Sequence, residues 1–313
     1  MKKLLLTMLI LVSLCLTASA QVVLNATNFP DANFRAALAS LLSIGEGETI
    51  TEEKIASTKT INVSSKNISN LTGIGYFTAL EELQCQHNKL KSIDLSNLIE
   101  LQLLSAWDNQ LDAIDVSMLP YLFYLDVEMN NLTTLNLTNN PELAYLFVSV
   151  NKLKTLDTSA MSDLEGINGY NNRFEYLDFT NNTGISELYL EGNCLSEGAT
   201  DALIETLPSR TSTTQGVISI YNPSDNYDKN VCNKNSVAKA KAKNWAVKYC
   251  DENAADTDTD PYLKNYEGTE PTGINTMSLD EKSNGNRYNL SGQRVSNSYK
   301  GLMIEKGRKR LKR

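Results

Sequence analysis

The 313-residue sequence contains a single histidine, His87, and no Cys-x-x-Cys pair. One histidine excludes a histidine-rich metal site and makes Ser-His-Asp or Cys-His catalysis hard to assemble. Asp and Glu (37) outnumber Lys and Arg (29), and the net charge of -8 argues against a general nucleic-acid binder. Hydrophobic residues still make up 41% of the chain, which excludes a disordered chain. The composition therefore points away from a hydrolase, and we predict no catalytic residue, no metal and no cofactor.

Long apolar runs are also missing, apart from one stretch at residues 4–16 that is too short to cross a membrane. Two lysines precede this stretch, and the small residues Ala18-Ser-Ala20 follow it. This order is typical of a secretory signal peptide, so we assign residues 1–20 to one. Cys15 raises lipoprotein processing as an alternative, although Leu14 is larger than the residue expected before a lipidated cysteine. We expect a secreted or outer-surface protein.

Four cysteines remain after the signal peptide: Cys85, Cys194, Cys232 and Cys250. They allow three disulfide pairings, and their spacing does not choose among these. Cys232 and Cys250 share one C-terminal segment, so their pairing is one prediction. Four buried thiols are the other.

The middle of the chain repeats every 21 residues. Two apolar columns run through Leu80, Leu101, Leu122, Leu143, Leu164 and Ile185, and through Leu83, Leu104, Leu125, Leu146, Ile167 and Leu188. An asparagine column consists of Asn88, Asn109, Asn130, Asn151, Asn172 and Asn193, and each asparagine is followed two residues later by Leu90, Leu111, Leu132, Leu153, Phe174 or Leu195. With an imperfect copy that starts at Ile61, about seven units cover residues 60–195.

Each unit resembles a leucine-rich repeat, L-x-x-L-x-L-x-x-N-x-L, as residues 122–132 show. The resemblance implies an α/β repeat solenoid with short strands on its concave face. One coil cannot bury its apolar side alone, so stacked coils share a continuous core. We expect each asparagine to bond the backbone of adjacent coils. The strand positions predicted to point inward are Cys85, Ala106, Val127, Val148, Gly169 and Leu190.

Both ends of a solenoid need caps. Residues 21–59 resemble the helical cap of internalin-like proteins, with Asp31 as the N-cap of one helix and Thr51 as the cap of a second. The apolar stripe of the first helix is predicted to consist of Phe34, Leu38, Leu41 and Leu42.

For residues 196–250 we predict an α/β C-terminal cap. A helix is expected from Glu197 to Leu207, a strand from Gly216 to Tyr221 and a helix from Ser236 to Lys243. Trp245 is expected to close the last coil.

Residues 251–272 hold seven carboxylates and one lysine, which favours an acidic, flexible linker. The alternation Asp256-Thr-Asp-Thr-Asp260 suggests a calcium loop as an alternative, but the glycine and distal glutamate of an EF-hand are missing. The segment 288–304 resembles the C-terminal sorting domains of Bacteroidetes proteins, which the type IX secretion machinery recognises. This resemblance implies a small β-rich sorting module at 273–313. The basic run 308–313 is interpreted as a solvated tail, with a nucleic-acid or lipid contact as the alternative.

The residues that alternate with the inward strand positions are expected to face solvent. We call these eighteen residues the concave face: Glu82, Gln84, Gln86, Leu103, Ser105, Trp107, Tyr124, Asp126, Glu128, Tyr145, Phe147, Ser149, Gly166, Asn168, Tyr170, Glu187, Tyr189 and Glu191. Six are aromatic, five are carboxylates and none is Lys or Arg. Such a surface favours a basic or amine-bearing partner.

We therefore predict a non-enzymatic scaffold that binds protein or peptide partners. By analogy with internalin-like proteins, whose repeats mediate adhesion, we expect the partner to be host-derived. The predicted ligand-binding residues are Trp107, Tyr124, Asp126, Glu128, Tyr145, Phe147, Tyr170 and Tyr189. One alternative is a carbohydrate-binding module in which sugars stack on the same aromatics. Another is that the tyrosines only stabilise neighbouring strands. A hydrolase is disfavoured because exposed carboxylates are not desolvated.

Overall fold

A computed structural model describes residues 21–250 and 263–269, together with the backbone of 288–289, 301–305 and 308–312. Nine parallel strands and one antiparallel strand form a ten-stranded sheet in which strand order follows chain order. The strands are β3 (Thr60–Asn62), β4 (Glu82–Gln84), β5 (Leu103–Ser105), β6 (Tyr124–Asp126), β7 (Tyr145–Phe147), β8 (Gly166–Asn168), β9 (Glu187–Tyr189), β10 (Gly216–Ser219), β11 (Trp245–Cys250) and β12 (Leu263–Asn265). The predicted leucine-rich repeat solenoid is confirmed.

The core consists of the repeating apolar columns. Leu83, Leu104, Leu125, Leu146 and Leu188 have no exposed surface, and the inward strand positions are also buried. Leu104 pairs with Leu83 and Leu125 in register, so each coil covers the apolar side of the next. Gly169 is the inward residue of a coil in which Phe174 takes the place of leucine. A Cβ on Gly169 would lie 2.8 Å from the Phe174 ring, so the larger ring requires the glycine.

The asparagine column crosslinks the coils through their backbones. Asn109 Nδ2 donates to the carbonyls of Cys85 (3.1 Å) and Ala106 (3.0 Å), and its Oδ1 accepts from the Leu90 amide (3.0 Å). The other repeat asparagines make the same kind of contacts, for example Asn151 with Val127 and Val148. Buried turn groups that would otherwise lack partners are thus satisfied, as predicted.

The residue before each asparagine has a left-handed backbone. These residues are His87, Asp108, Met129, Val150, Asn171 and Gly192, with φ between 51° and 68°. Glycine and asparagine adopt this conformation readily, whereas a β-branched residue such as Val150 is strained there.

The N-terminal cap contains β1 (Val22–Val23) and β2 (Thr49–Ile50), which pair antiparallel, and the helices α1 (Ala32–Leu42) and α2 (Glu52–Ser57). Asp31 caps α1 and Thr51 caps α2, as predicted. Leu41 is an exception to the predicted apolar stripe, because 38% of it is exposed. A 3₁₀ turn, Ile74–Tyr76, follows the first coil.

The C-terminal cap extends the sheet beyond the repeats. Helices α3 (Glu197–Thr206) and α4 (Lys234–Ala242) alternate with β10 and β11, which gives the predicted α/β arrangement. Trp245 starts β11 and is fully buried; its indole Nε1 donates to the Pro208 carbonyl (2.8 Å). A Cβ on Gly216 would lie 2.6 Å from the Trp245 ring, so this glycine makes room for the indole.

The linker expectation for 251–272 is wrong for residues 263–269. Leu263–Asn265 form β12, which pairs antiparallel with β11 and ends the parallel sheet. Tyr266 is buried, and its hydroxyl donates to the Cys232 carbonyl (2.8 Å). The physical reason is that an unpaired edge strand leaves backbone groups unsatisfied, and Tyr266 anchors the added strand by packing against the rings of Tyr221 and Tyr249. The candidate calcium loop at 256–260 lies outside the described residues.

In the C-terminal module the backbone forms a three-stranded antiparallel sheet of β13 (Tyr288–Asn289), β14 (Gly301–Glu305) and β15 (Arg308–Lys312). The basic run was interpreted as a tail, but most of it is β15, which pairs with β14 from Glu305–Arg308 to Gly301–Lys312. Only Lys306 and Gly307 separate the two strands, a spacing that suits a tight hairpin. The rest of the predicted β-rich module at 273–313 lies outside the described residues, as does the signal peptide.

No disulfide joins any two of Cys85, Cys194, Cys232 and Cys250, so the predicted Cys232–Cys250 bond is not present. Cys194 is partly exposed and the other three are buried. Burial raises the pKa of the Cys232 thiol to about 12. Among the described helices, none has the length and apolarity that a membrane crossing requires.

Candidate functional site

The concave face is built by strands β4–β9 and the two residues after each. Registers place Tyr124 beside Tyr145 and Asp126 beside Phe147 on neighbouring strands. Asn168 pairs with Tyr189 in the same way. The structure therefore brings the predicted ligand-binding residues together on one side of the sheet.

The expectation that this face is open to solvent is wrong for most of these residues. Tyr124 and Tyr189 are each 9% exposed, Trp107, Phe147 and Glu128 are 3% exposed, and Asp126 is fully buried. Tyr145 and Tyr170 are partly exposed. Strand alternation gives the direction of a side chain, but parallel strands lie only about 4.8 Å apart, so large side chains of adjacent coils cover one another.

The aromatic centre is a packed pair rather than a set of free rings. The rings of Tyr124 and Phe147 lie 5.3 Å apart and are tilted by 36°. Burial, together with the nearby Asp126 and Glu128, raises the pKa of Tyr124 well above its usual value. The phenol therefore stays neutral throughout the physiological range, and it can donate as well as accept a hydrogen bond.

Two carboxylates of the face are held by neutral donors. Asn168 Nδ2 donates to Glu128 Oε1 (2.6 Å) across two coils. Glu191 accepts from the Ser219 hydroxyl and from the Cys250 amide (2.8 Å). These bonds fix the positions of the carboxylates and connect the last repeat to the C-terminal cap.

His87 and Asp108 form a pair that the sequence did not reveal, although the spacing of 21 residues could have indicated it. His87 Nδ1 lies 2.5 Å from Asp108 Oδ2, and the imidazole packs on the Trp107 indole at a centroid distance of 3.9 Å. With a φ of 56°, His87 is also the left-handed turn residue before Asn88. The His87–Asp108 pair packs against Trp107 and supports it at one end of the face.

The accessible aromatic residues of the face lie around β7–β9. Tyr145 is partly exposed, and its hydroxyl bonds the carboxylate of Glu165, which also raises the pKa of the phenol to about 12. Tyr170 is partly exposed and Glu187 is exposed. These three residues offer rings and charge to a partner, and the buried aromatics beneath and beside them give a rigid support.

Among the described residues, no cluster of three or more His, Cys, Asp or Glu side chains has the geometry of a metal site. Hydrogen bonds hold Glu128 and Glu191 in fixed positions, and the arrangement provides a preorganised set of polar and aromatic side chains.

The comparisons with known proteins agree with the fold. No protein-family model matches the chain. A 68-residue stretch is 34% identical to Internalin J of Listeria monocytogenes serotype 4b (strain F2365), a match over 22% of this chain and 7% of the relative. The chain thus spans a small part of that curated relative.

Solved structures give a broader match. The functional domain of InlJ from Listeria monocytogenes superimposes with a TM-score of 0.59 at 26% identity, over 71% of this chain and 46% of the other. A leucine-rich repeat protein of Leptospira interrogans gives a TM-score of 0.50 at 21% identity, over 62% of this chain and 49% of the other. The chain has a leucine-rich repeat fold and is similar to internalin J in sequence and structure. The InlJ domain includes a cysteine ladder, whereas Cys85 is the only cysteine in the inward column here.

Proposed function

We propose that this chain is a non-enzymatic scaffold that binds a protein or peptide partner through its concave face, as a secreted or surface-displayed adhesion protein. The observation that carries the proposal is the composition of that face, which has six aromatics, five carboxylates and no lysine or arginine in eighteen positions. The leucine-rich repeat fold brings these positions to one side of the sheet, where Tyr145, Tyr170 and Glu187 reach solvent.

The burial of the central aromatics supports preorganisation. A partner that docks on Tyr145, Tyr170 and Glu187 meets side chains whose neighbours are already packed, so little conformational entropy is lost on binding. Binding of sugars is the weaker alternative, because stacking needs an open ring face and Trp107 and Phe147 are each only 3% exposed.

The test is binding of the exported chain to a panel of basic host extracellular matrix proteins and mucosal glycoproteins. We expect Tyr145→Ala with Tyr170→Ala to weaken protein binding by at least about tenfold, in the range of interface aromatics. Glu187→Gln should weaken it less and reduce its salt dependence. Tyr176→Ala is the matched control, since Tyr176 is 52% exposed and outside the face. Equal binding by the double variant and the control would refute the proposal, and salt-insensitive binding to glycans alone would favour the sugar alternative.

For localisation we propose that residues 1–20 direct export and that 273–313 act as a type IX sorting module in a Bacteroidetes-type cell. Deleting 273–313 should leave a folded repeat domain that no longer reaches the surface. Surface labelling of cells that express the two forms measures this, and unchanged display of the shortened chain would contradict the sorting role.

A further inference from the structure

A second candidate surface lies on the edge of the solenoid where the chain enters the strands. Four large apolar side chains are exposed there on two successive coils: Ile99 (46%), Met118 (52%), Tyr121 (47%) and Phe123 (39%). None of them belongs to the concave face. We call these four residues the edge patch.

Backbone hydrogen bonds fix the position of the patch. The Phe123 amide donates to the Gln102 carbonyl (3.0 Å), and the Ala144 amide donates to the Phe123 carbonyl (2.9 Å). Phe123 therefore continues the ladder of β6 by one residue. Leu122 is fully buried, whereas its neighbours Tyr121 and Phe123 are exposed, so both rings stand on the outside of the same coil.

Negative charge surrounds the patch. The 21-residue repeat places Tyr121 between Glu100 and Glu142, and the ladder continues from Ala144 to Glu165 through an amide–carbonyl bond of 2.9 Å. An open hollow begins one coil from Phe123, and the residues that line it include Glu142, Asp163, Glu165 and Arg210.

Arg210, which lines the hollow, already donates hydrogen bonds to backbone carbonyls. Arg210 Nε donates to the Thr214 carbonyl (3.1 Å) and Arg210 Nη1 to the Gly184 carbonyl (3.3 Å). Three columns of the repeat run along this edge; they start at Thr78, Ala79 and Glu81, and each recurs every 21 residues over six coils. Of their eighteen residues, five are carboxylates and none is Lys or Arg. Apolar groups are thus exposed beside a concentration of negative charge.

We propose that the edge patch and the adjoining hollow bind a cationic segment of a partner protein that carries an aromatic or aliphatic anchor close to a lysine or arginine. The anchor packs on Tyr121 and Phe123, and the cation enters the hollow beside Glu142 and Asp163. Two coils span about 10 Å, which two to three residues of an extended peptide also span. This surface differs from the concave face, and the inference stands even if the concave face binds no partner.

The test uses the full chain and a fluorescein-labelled hexapeptide with a leucine–phenylalanine pair between two pairs of lysines. Fluorescence anisotropy measures the Kd for this probe. Tyr121→Ala with Phe123→Ala should weaken binding by about tenfold or more, because both rings are lost from the contact. Glu142→Gln with Asp163→Asn should weaken binding at low salt and flatten its salt dependence.

Three controls separate the alternatives. Tyr176→Ala removes a similarly exposed tyrosine elsewhere and should leave the Kd unchanged, as should Tyr170→Ala on the concave face. Equal binding of a probe with serines in place of leucine and phenylalanine would overturn the role of the apolar anchor. The remaining alternative is that a second copy of this chain occupies the patch, and sedimentation analysis tests it. If the unmodified chain is a dimer and the variant with Tyr121→Ala and Phe123→Ala is a monomer, the proposal is wrong.

Discussion

Replacing Asn130 by alanine tests the physical basis of the solenoid directly. Its Oδ1 accepts from the Leu111 amide (2.9 Å), and its Nδ2 donates to the carbonyls of Ala106 (3.1 Å), Val127 (3.1 Å) and Glu128 (3.0 Å). Asn130 is only 8% exposed, so water does not readily replace these bonds. The bonds to Ala106 and Leu111 connect one coil to the preceding one.

The expected loss of stability is about 3 kcal/mol, since each net hydrogen bond contributes about 1 kcal/mol and at least three lose their partner. Urea unfolding followed by circular dichroism measures the whole effect. Hydrogen exchange measures the local effect, because the Leu111 amide loses its acceptor. Exchange of this amide should accelerate by about a hundredfold if the free energy of local opening falls by about 3 kcal/mol.

Asn136→Ala is the matched control. Asn136 is exposed, and its Oδ1 bonds only the Thr138 amide (3.1 Å) and hydroxyl (2.8 Å) within its own coil. Its replacement should cost less than about 1 kcal/mol. Asn130→Asp keeps the acceptor but sets a carboxylate against three carbonyl oxygens, so it should destabilise at pH 7 as well. Equal stabilities of the Asn130→Ala and Asn136→Ala variants would refute the crosslinking role.

Three further changes probe the core, the cap and the left-handed turn. Leu146→Ala should cost about 2–5 kcal/mol in thermal or urea unfolding because it leaves a cavity in a fully buried column, and near-unchanged melting would contradict that. Burial raises the pKa of Asp31, but hydrogen bonds from Ser69, Phe34 and Asn33 outweigh it, and the net pKa lies below 3.8. The stability that the carboxylate contributes is therefore present above about pH 4 and is lost as the pH falls. Asp31→Asn should lower the free energy of unfolding by about 1 kcal/mol at pH 7. Urea titrations near pH 3 should show a smaller difference between this variant and the unmodified chain. Val150→Asn should stabilise by about 1 kcal/mol because its φ of 53° strains a β-branched residue, and a lower urea midpoint for this variant would disprove the strain.

The sequence was sufficient for the repeats because one physical requirement acts in every coil. Leu83 and its equivalents must be apolar to be buried between coils, and the asparagines must be present to bond buried turns. Because the same residue types return every 21 positions while the residues between them vary, the repeat can be recognised from the sequence. The helix caps were predictable for a similar reason, since Asp31 and Thr51 satisfy orphan amides locally.

The strands β12 and β15 were missed because their formation depends on distant partners. Leu263–Asn265 carry no strong strand pattern and become a strand by completing the edge of β11. Arg308–Lys312 read as a charged tail until β14 pairs with it. In both segments tertiary pairing overrides local composition.

The exposure of the site could not be predicted from alternation either. Period-two alternation correctly puts Tyr124 and Asp126 opposite the core leucines, but their exposed area depends on neighbours in the next coils, such as Phe147. The edge patch illustrates the opposite case. Tyr121 and Phe123 occupy columns whose other members are mostly polar or acidic, so a search for recurring residues passes over them. Residues that recur build the solenoid, and those that break the pattern on its surface distinguish one coil from the next. A partner that recognises this chain rather than any other solenoid must therefore contact such exceptions, and on the described surface the exposed rings of Tyr121 and Phe123 beside the acidic hollow meet that requirement.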